Sequence, residues 1–239
     1  MWASVEWRML FTTGNRTTMP TPHEALPGRD HRLFTLSATH AVLETALEGP
    51  WSPDTEVLYV AMGCFWGAER IMWRLPGVVT TAVGYMGGFT ANPTYEECCT
   101  GRTGHAETVL VAYDPSAIAP EIILKAFWEN HDPTQGNRQG NDVGTAYRSA
   151  IFWTTPAQHS AVIATHAAFQ AELTRVGAGK ITTQELSADE AGPFWYAEDY
   201  HQQYLHKNPA GYCNHGANGL TCPIGVANLP AQTEALRHH

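Results

Sequence analysis

The stretch with the clearest chemical potential is Gly63-Cys64-Phe65-Trp66-Gly67, a thiol between two glycines followed by two aromatic side chains. Val57-Leu58-Tyr59-Val60-Ala61-Met62 before it is apolar and partly β-branched, the pattern of a buried strand. Ala68 to Leu75 after it is rich in helix formers and stops at Pro76-Gly77. Cys64 is therefore predicted at a strand-to-helix corner, where free N–H groups and the helix dipole favour a thiolate nucleophile. The same pattern fits a small buried cysteine at a tight turn, the commoner use of an isolated cysteine. Two polar loops carry further reactive groups. One holds Tyr95, Glu96, Glu97, Cys98, Cys99, Arg102, His105 and Glu107; the other holds His131, Asp132, Gln135, Arg138, Asn141, Asp142 and Tyr147. Loops on a rigid scaffold are where sites concentrate, although solvated loops have the same composition.

Those groups need elements to position them. Apolar runs predict strands at 57–62, 78–83, 107–113 and 148–153, with helices at about 66–74 and from Pro120 to Asp132. Gly84 and Gly87-Gly88 read as the end of the second strand. This β-α-β-β-α-β order is the ferredoxin-like split arrangement, an α+β two-layer sandwich with helices on one face of the sheet. A long helix at 156–175, with Val162, His166, Phe169 and Leu173 on one stripe, and a strand at about 181–186 extend it. Residues 1–55 read as an irregular extension wrapping the domain, its first eighteen residues disordered, with Met9 and Met19 as alternative starts. Residues 56–206 form the catalytic domain, and 207–239 a mobile Gly/Pro-rich coil ending in His238-His239, which has the look of a tag remnant.

Composition narrows the function. At 239 residues with 44% hydrophobic content the chain can bury one proper core. A net charge of -9 argues against nucleic acid or an anionic membrane as partner. There is no apolar run of membrane-spanning length and no basic n-region of a signal peptide. Five cysteines are too few, and odd in number, for a secreted disulfide framework, so a reducing cytoplasm with chemically used thiols is expected. The chain is expected to be a monomer.

Gly63-Cys64-Phe65-Trp66-Gly67-Ala68-Glu69-Arg70 resembles the signature of the class A peptide methionine sulfoxide reductases. Gly84-Tyr85-Met86-Gly87-Gly88, Pro93-Thr94-Tyr95-Glu96-Glu97 and Thr103-Gly104-His105-Ala106-Glu107 resemble it too. So do Phe127 to Pro133, Gln139 to Ser149, Tyr200 to Leu205 and Gly211-Tyr212-Cys213. The blocks fall in order over roughly 57–223, which is far more specific than one Gly-Cys-Phe-Trp.

The resemblance implies reduction of methionine-S-sulfoxide, free or in oxidised proteins, with Cys64 attacking sulfur and Glu107 donating a proton to the departing oxygen. Glu107 shares strand parity with Val109 and Val111, so it points into an apolar face that would keep it protonated; the opposite face is also apolar, and without the resemblance a solvated glutamate fits as well. By the same resemblance Tyr95 and Tyr147 hold the sulfoxide oxygen, Asp142 lines the site, and Phe65 and Trp66 form the pocket for the substrate methyl group. Cys64 is left as a sulfenic acid, for which the resemblance makes Cys213 the resolving thiol and Cys222 the relay to thioredoxin, with no prosthetic cofactor and no metal. Read singly, the tyrosines and aromatics are also core residues, Asp142 an Asx turn, and the tail cysteines a static pair. A thiol peroxidase, or a redox-sensing or zinc-stabilised binding module using Cys98-Cys99 or the tail's Cys213, His215 and Cys222, are the other readings. Cys98 beside Cys99 departs from the family's pattern.

Overall fold

The structure, a computed structural model, describes residues 16–213 and 215–223. The expectations for Met9, His238-His239 and most of the first eighteen residues lie outside the described residues. In chain order the elements are β1 Glu56–Met62, α1 Phe65–Met72, β2 Val78–Met86, α2 Tyr95–Cys99, β3 Ala106–Tyr113 and α3 Pro120–Glu129. There follow the two-residue strands β4 Arg138–Gln139 and β5 Asp142–Val143, a 3-10 turn at Thr145–Tyr147, β6 Ser149–Trp153 and α4 Pro156–Arg175. β7 Gln184–Ser187, α5 Ala188–Ala191, β8 Trp195–Tyr196 and α6 Tyr204–Lys207 complete the chain.

The main sheet runs β7-β6-β1-β3-β2-β8. Its four central strands are antiparallel to their neighbours, while β7 is added parallel to β6 at one edge and β8 antiparallel to β2 at the other. Period-two alternation divides the side chains between two faces. Leu58, Val60, Met62, Val83, Tyr85, Val109 and Val111 meet Phe65 and Met72 of α1, Phe127 and Trp128 of α3, and Val162 and Phe169 of α4. On the other face Ala82, Leu110 and Ala112 lie under Leu47, Trp51 and Phe194, so the segment before β1 helps cover the side away from α1, α3 and α4, where α5 also packs. Within that segment the buried His40 is tied to β2 by a 2.9 Å contact from Nε2 to Thr81 Oγ1. Every residue of β3 is consequently buried, which is why parity alone left the direction of Glu107 open.

Three expectations change in detail. β2 does not stop at Gly84 but continues to Met86, with Gly84 paired to both Thr108 and Tyr196. A Cβ on Gly84 would lie 2.3 Å from the Trp195 carbonyl oxygen and 2.5 Å from the Phe194 ring. The glycine is there for close approach, not to end a strand. Gly84→Ala is expected to cost about 1–3 kcal/mol, read as a Tm several degrees lower, since backbone must move to relieve the clash; an unchanged Tm would contradict this account. On α4 the inward residue between Val162 and Phe169 is Thr165, which accepts a hydrogen bond from Trp128 Nε1 at 3.0 Å. His166, placed on the stripe by sequence, sits at its edge 2.6 Å from Glu185. The described tail is docked rather than free. Asn218 Nδ2 donates to the Trp128 and His131 carbonyls at 2.8 and 2.7 Å, and Cys222 is buried.

Candidate active site

Cys64 caps the N-terminus of α1 directly after β1, and Gly63, at φ 95°, makes the turn between them. Glu107, second residue of β3, faces the helix side and is only 3% exposed. Its Oε2 accepts the Phe65 backbone N–H at 3.0 Å, so α1's first turn presents the thiol and grips the carboxyl together. Burial raises Glu107 to about 8, with the Asp142 charge adding to the rise against the Phe65 hydrogen bond. The expected location of Cys64 holds, but the expected electrostatics do not. Burial, and then the Glu107 charge, push the Cys64 thiol well above its ordinary range, and the N–H of Trp66 offsets only part of that. In the free site at neutral pH, both groups therefore carry their protons.

Cys64, Phe65, Trp66, Tyr95, Glu107, Asp142, Tyr147 and Tyr212 line a single cavity of about 130 Å³. Its size suits a side chain rather than a large ligand. Trp66 stacks on Tyr204, ring centroids 3.9 Å apart, and donates from Nε1 to His201 Nδ1 at 3.0 Å. Burial lowers His201 to about 4, so its ring is neutral and can accept that bond. Tyr95 packs on the same imidazole with centroids 4.6 Å apart. Glu198 holds the Tyr95 backbone N–H at 2.9 Å and the Tyr85 hydroxyl at 3.0 Å. Tyr147 ends the 3-10 turn that Arg148 anchors through the Thr145 carbonyl at 2.8 Å, the Gly87 carbonyl at 3.1 Å and Gln184 at 2.9 Å. Burial raises Tyr95 and Tyr147 well above the usual phenol range, so they stay hydroxyl donors.

A family model for peptide methionine sulfoxide reductase matches residues 56–222. The chain belongs to the peptide methionine sulfoxide reductase family. As a member of it, the chain is an oxidoreductase. It is 56% identical over 220 residues to the peptide methionine sulfoxide reductase of Salinispora arenicola, covering 91% of this chain and 98% of that one. Among solved structures, the methionine sulfoxide reductase A of Corynebacterium diphtheriae is 45% identical with a TM-score of 0.74, covering 87% of this chain and 99% of that one. The reduced form of Mxr1 from Saccharomyces cerevisiae is 32% identical with a TM-score of 0.62, over 70% and 95%.

All seven residues that sequence placed at the reductase site around Cys64 reach the cavity; most of the other polar loop residues have structural duties. His105 accepts the Gly88 N–H at 3.0 Å and contacts the Thr90 carbonyl at 2.7 Å, and His131 spans the Phe127 carbonyl and Ser149 Oγ. Glu97 completes the capping box of α2 and pairs with Arg29. Cys98 is buried under Thr103 Oγ1 at 3.6 Å, and Cys99 lies beside the Tyr95 hydroxyl. Tyr212, His201 and Glu198 were not singled out in sequence. Tyr212 adjoins Cys213 and donates its hydroxyl to the two Asp142 carboxylate oxygens at 3.2 and 3.3 Å, bringing the tail across the cavity.

All five cysteines are free thiols. Cys213 lies against α1, with Arg70 Nη2 donating to its Sγ at 3.0 Å. Cys222 is elsewhere, its N–H bonded to Glu129 Oε1 at 2.8 Å and its Sγ 3.8 Å from the Thr165 carbonyl between α3 and α4. Among the described residues no three His, Cys, Asp or Glu side chains are grouped to hold a metal ion, so Cys213, His215 and Cys222 do not converge.

Proposed function

We propose that this cavity reduces methionine-S-sulfoxide by attack of the Cys64 sulfur on the sulfoxide sulfur. The observation that carries the reading is a carboxyl whose burial raises it to about 8, beside a buried thiol in a side-chain-sized cavity with two hydroxyl donors. Tyr95 and Tyr147 hold the sulfoxide oxygen, and their hydrogen bonds strengthen as negative charge grows on it. Glu107 gives its proton to that oxygen and recovers one from the Cys64 thiol. The oxygen passes to Cys64, methionine leaves, and Cys64 is a sulfenic acid. Its sulfur has lost the two electrons that the substrate sulfur gained. Phe65 and Trp66 receive the methyl group, and Asp142, tied to Tyr212, holds the substrate amide or a water.

Cys213 then resolves the sulfenic acid, and Cys222, once drawn from its seat between α3 and α4, takes the disulfide and passes it to thioredoxin. The electrons thus come from an external thiol reductant rather than a bound cofactor. No helix among the described residues is long and apolar enough to cross a membrane. We place the enzyme in a reducing cytoplasm, consistent with its five free thiols. A thioredoxin-coupled assay with separated sulfoxide epimers tests the reading. Turnover of the S epimer, with the R epimer inert, is the expected result; equal use of both, or peroxide consumption without sulfoxide turnover, would refute it.

A further inference from the structure

His215 is half-buried, and its imidazole has no duty in the chemistry above. Its Nε2 lies 2.8 Å from the Met62 carbonyl oxygen, so that nitrogen carries the proton and Nδ1 presents its lone pair. Nδ1 is buried and has no hydrogen-bond partner among the described residues, an uncommon state for a ring nitrogen. Burial also keeps the ring neutral, lowering His215 from its ordinary range despite the opposing Met62 contact. The lone pair points at the notch over Gly67. A Cβ placed there would be 2.4 Å from His215 Nδ1 and 3.0 Å from Cys213 Sγ, so only glycine lets both atoms close on this turn of α1. The thiol here donates to the His215 carbonyl oxygen at 3.8 Å and must turn from it to reach Nδ1. Arg70 Nη2 donates to the same sulfur at 3.0 Å, and among the described residues no carboxylate pairs with Arg70. Gly67 is three residues after Cys64, so this notch lies one helical turn along α1 from the nucleophile.

We propose that His215 and Arg70 activate Cys213 for the resolving step: Nδ1 takes the Cys213 thiol proton while the guanidinium stabilises the negative sulfur. The inference rests on Cys64 becoming a sulfenic acid as above. The Cys213 sulfur attacks the Cys64 sulfur, the S–S bond forms as the S–O bond breaks, and the departing hydroxide takes the Glu107 proton to leave as water. The proton on His215 later returns through solvent to Glu107, so the site is restored with one water released and no further reductant used. An imidazole and a guanidinium beside one sulfur are the groups expected around a thiol that must attack rather than merely pack.

Rapid-quench measurements on the full chain separate the steps. Fully reduced enzyme is mixed with methionine-S-sulfoxide, and methionine release, dimedone-trappable sulfenic acid and Cys64–Cys213 disulfide are followed in the same samples. In His215→Ala, disulfide formation is expected to slow at least tenfold relative to methionine release, with sulfenic acid accumulating; added imidazole should restore the rate. His215→Asn fills the seat but cannot take the proton, so it should stay slow, which separates proton transfer from packing. Arg70→Met should slow the same step, and Arg70→Lys less so. Disulfide formation at the wild-type ratio in His215→Asn and Arg70→Met overturns the proposal. A Cys213→Ser variant that releases methionine but accumulates no sulfenic acid refutes it as well. A wild type that releases no methionine would instead overturn the reading of the cavity, and this inference with it.

Discussion

Replacing Cys64 with serine is expected to take methionine formation down to the uncatalysed background, in a single turnover as well as in steady state. A serine hydroxyl has nearly the same volume, and Cys64 is buried at 7% exposure at the cap of α1, where serine is a good capping residue. The fold should therefore be kept, and circular dichroism and Tm should show it. What is lost is a soft, polarisable sulfur able to take oxygen from another sulfur and then exchange with a thiol. Counting methionine per chain without reductant gives the sharpest readout. Fully reduced wild type should yield two, one when Cys64 is first oxidised and one after the disulfide has moved to Cys213 and Cys222. Cys64→Ser should yield none. Methionine at the wild-type level in that variant would mean that another group is the nucleophile, with Cys99, beside the Tyr95 hydroxyl, first in line.

How much of this was readable from residue order differs by element. β1, β3 and α4 lie within one or two residues of expectation, because continuous apolar runs mark the two strands and Pro156 marks the start of the helix. β2 was cut short at Gly84, since a glycine signals either a break or a close approach, and only the partner strand β8 decides which. α2, α5 and α6 are four or five residues long, too short for a period to register, and owe their places to capping boxes and tertiary contacts. The convergence of Cys64, Tyr95, Glu107, Asp142 and Tyr147 was legible through ordered motifs, but no local pattern brings residues from four segments together. The supporting groups His201 and Glu198 act through contacts spanning more than a hundred positions, to Trp66 and Tyr85. The charge state of Cys64 was misread for the same reason. A helix N-terminus is visible in sequence, whereas the depth of burial and the nearness of Glu107 that outweigh it are not.

The second large effect is at Glu107, where activity and stability should move in opposite directions. Glu107→Gln keeps an oxygen to accept the Phe65 N–H but cannot release a proton to the sulfoxide oxygen. Loss of a general acid should lower the rate of methionine release by about 10²–10⁴-fold at neutral pH. In the wild type the active form is the protonated acid, so the rate should fall as pH rises through about 8, and the variant's residual rate should lack that limb. Stability follows the same proton. Between 4.5 and about 8 the folded protein holds a proton that the unfolded chain has released, so this group costs the wild type stability progressively across that window. Removing it should therefore stabilise the protein, little below pH 4.5 and by a few kcal/mol near pH 8, measured as urea midpoints at several pH values. A carboxyl sunk in an apolar face is a liability for folding that function explains, the usual relation between strained sites and stability. A variant that is inactive yet no more stable at pH 8 than at pH 5, relative to wild type, would mean that Glu107 is not the buried acid. A variant that keeps both its rate and its alkaline limb would assign the proton to another group in the cavity, with Tyr95 and Tyr147 the donors nearest the oxygen's proposed position.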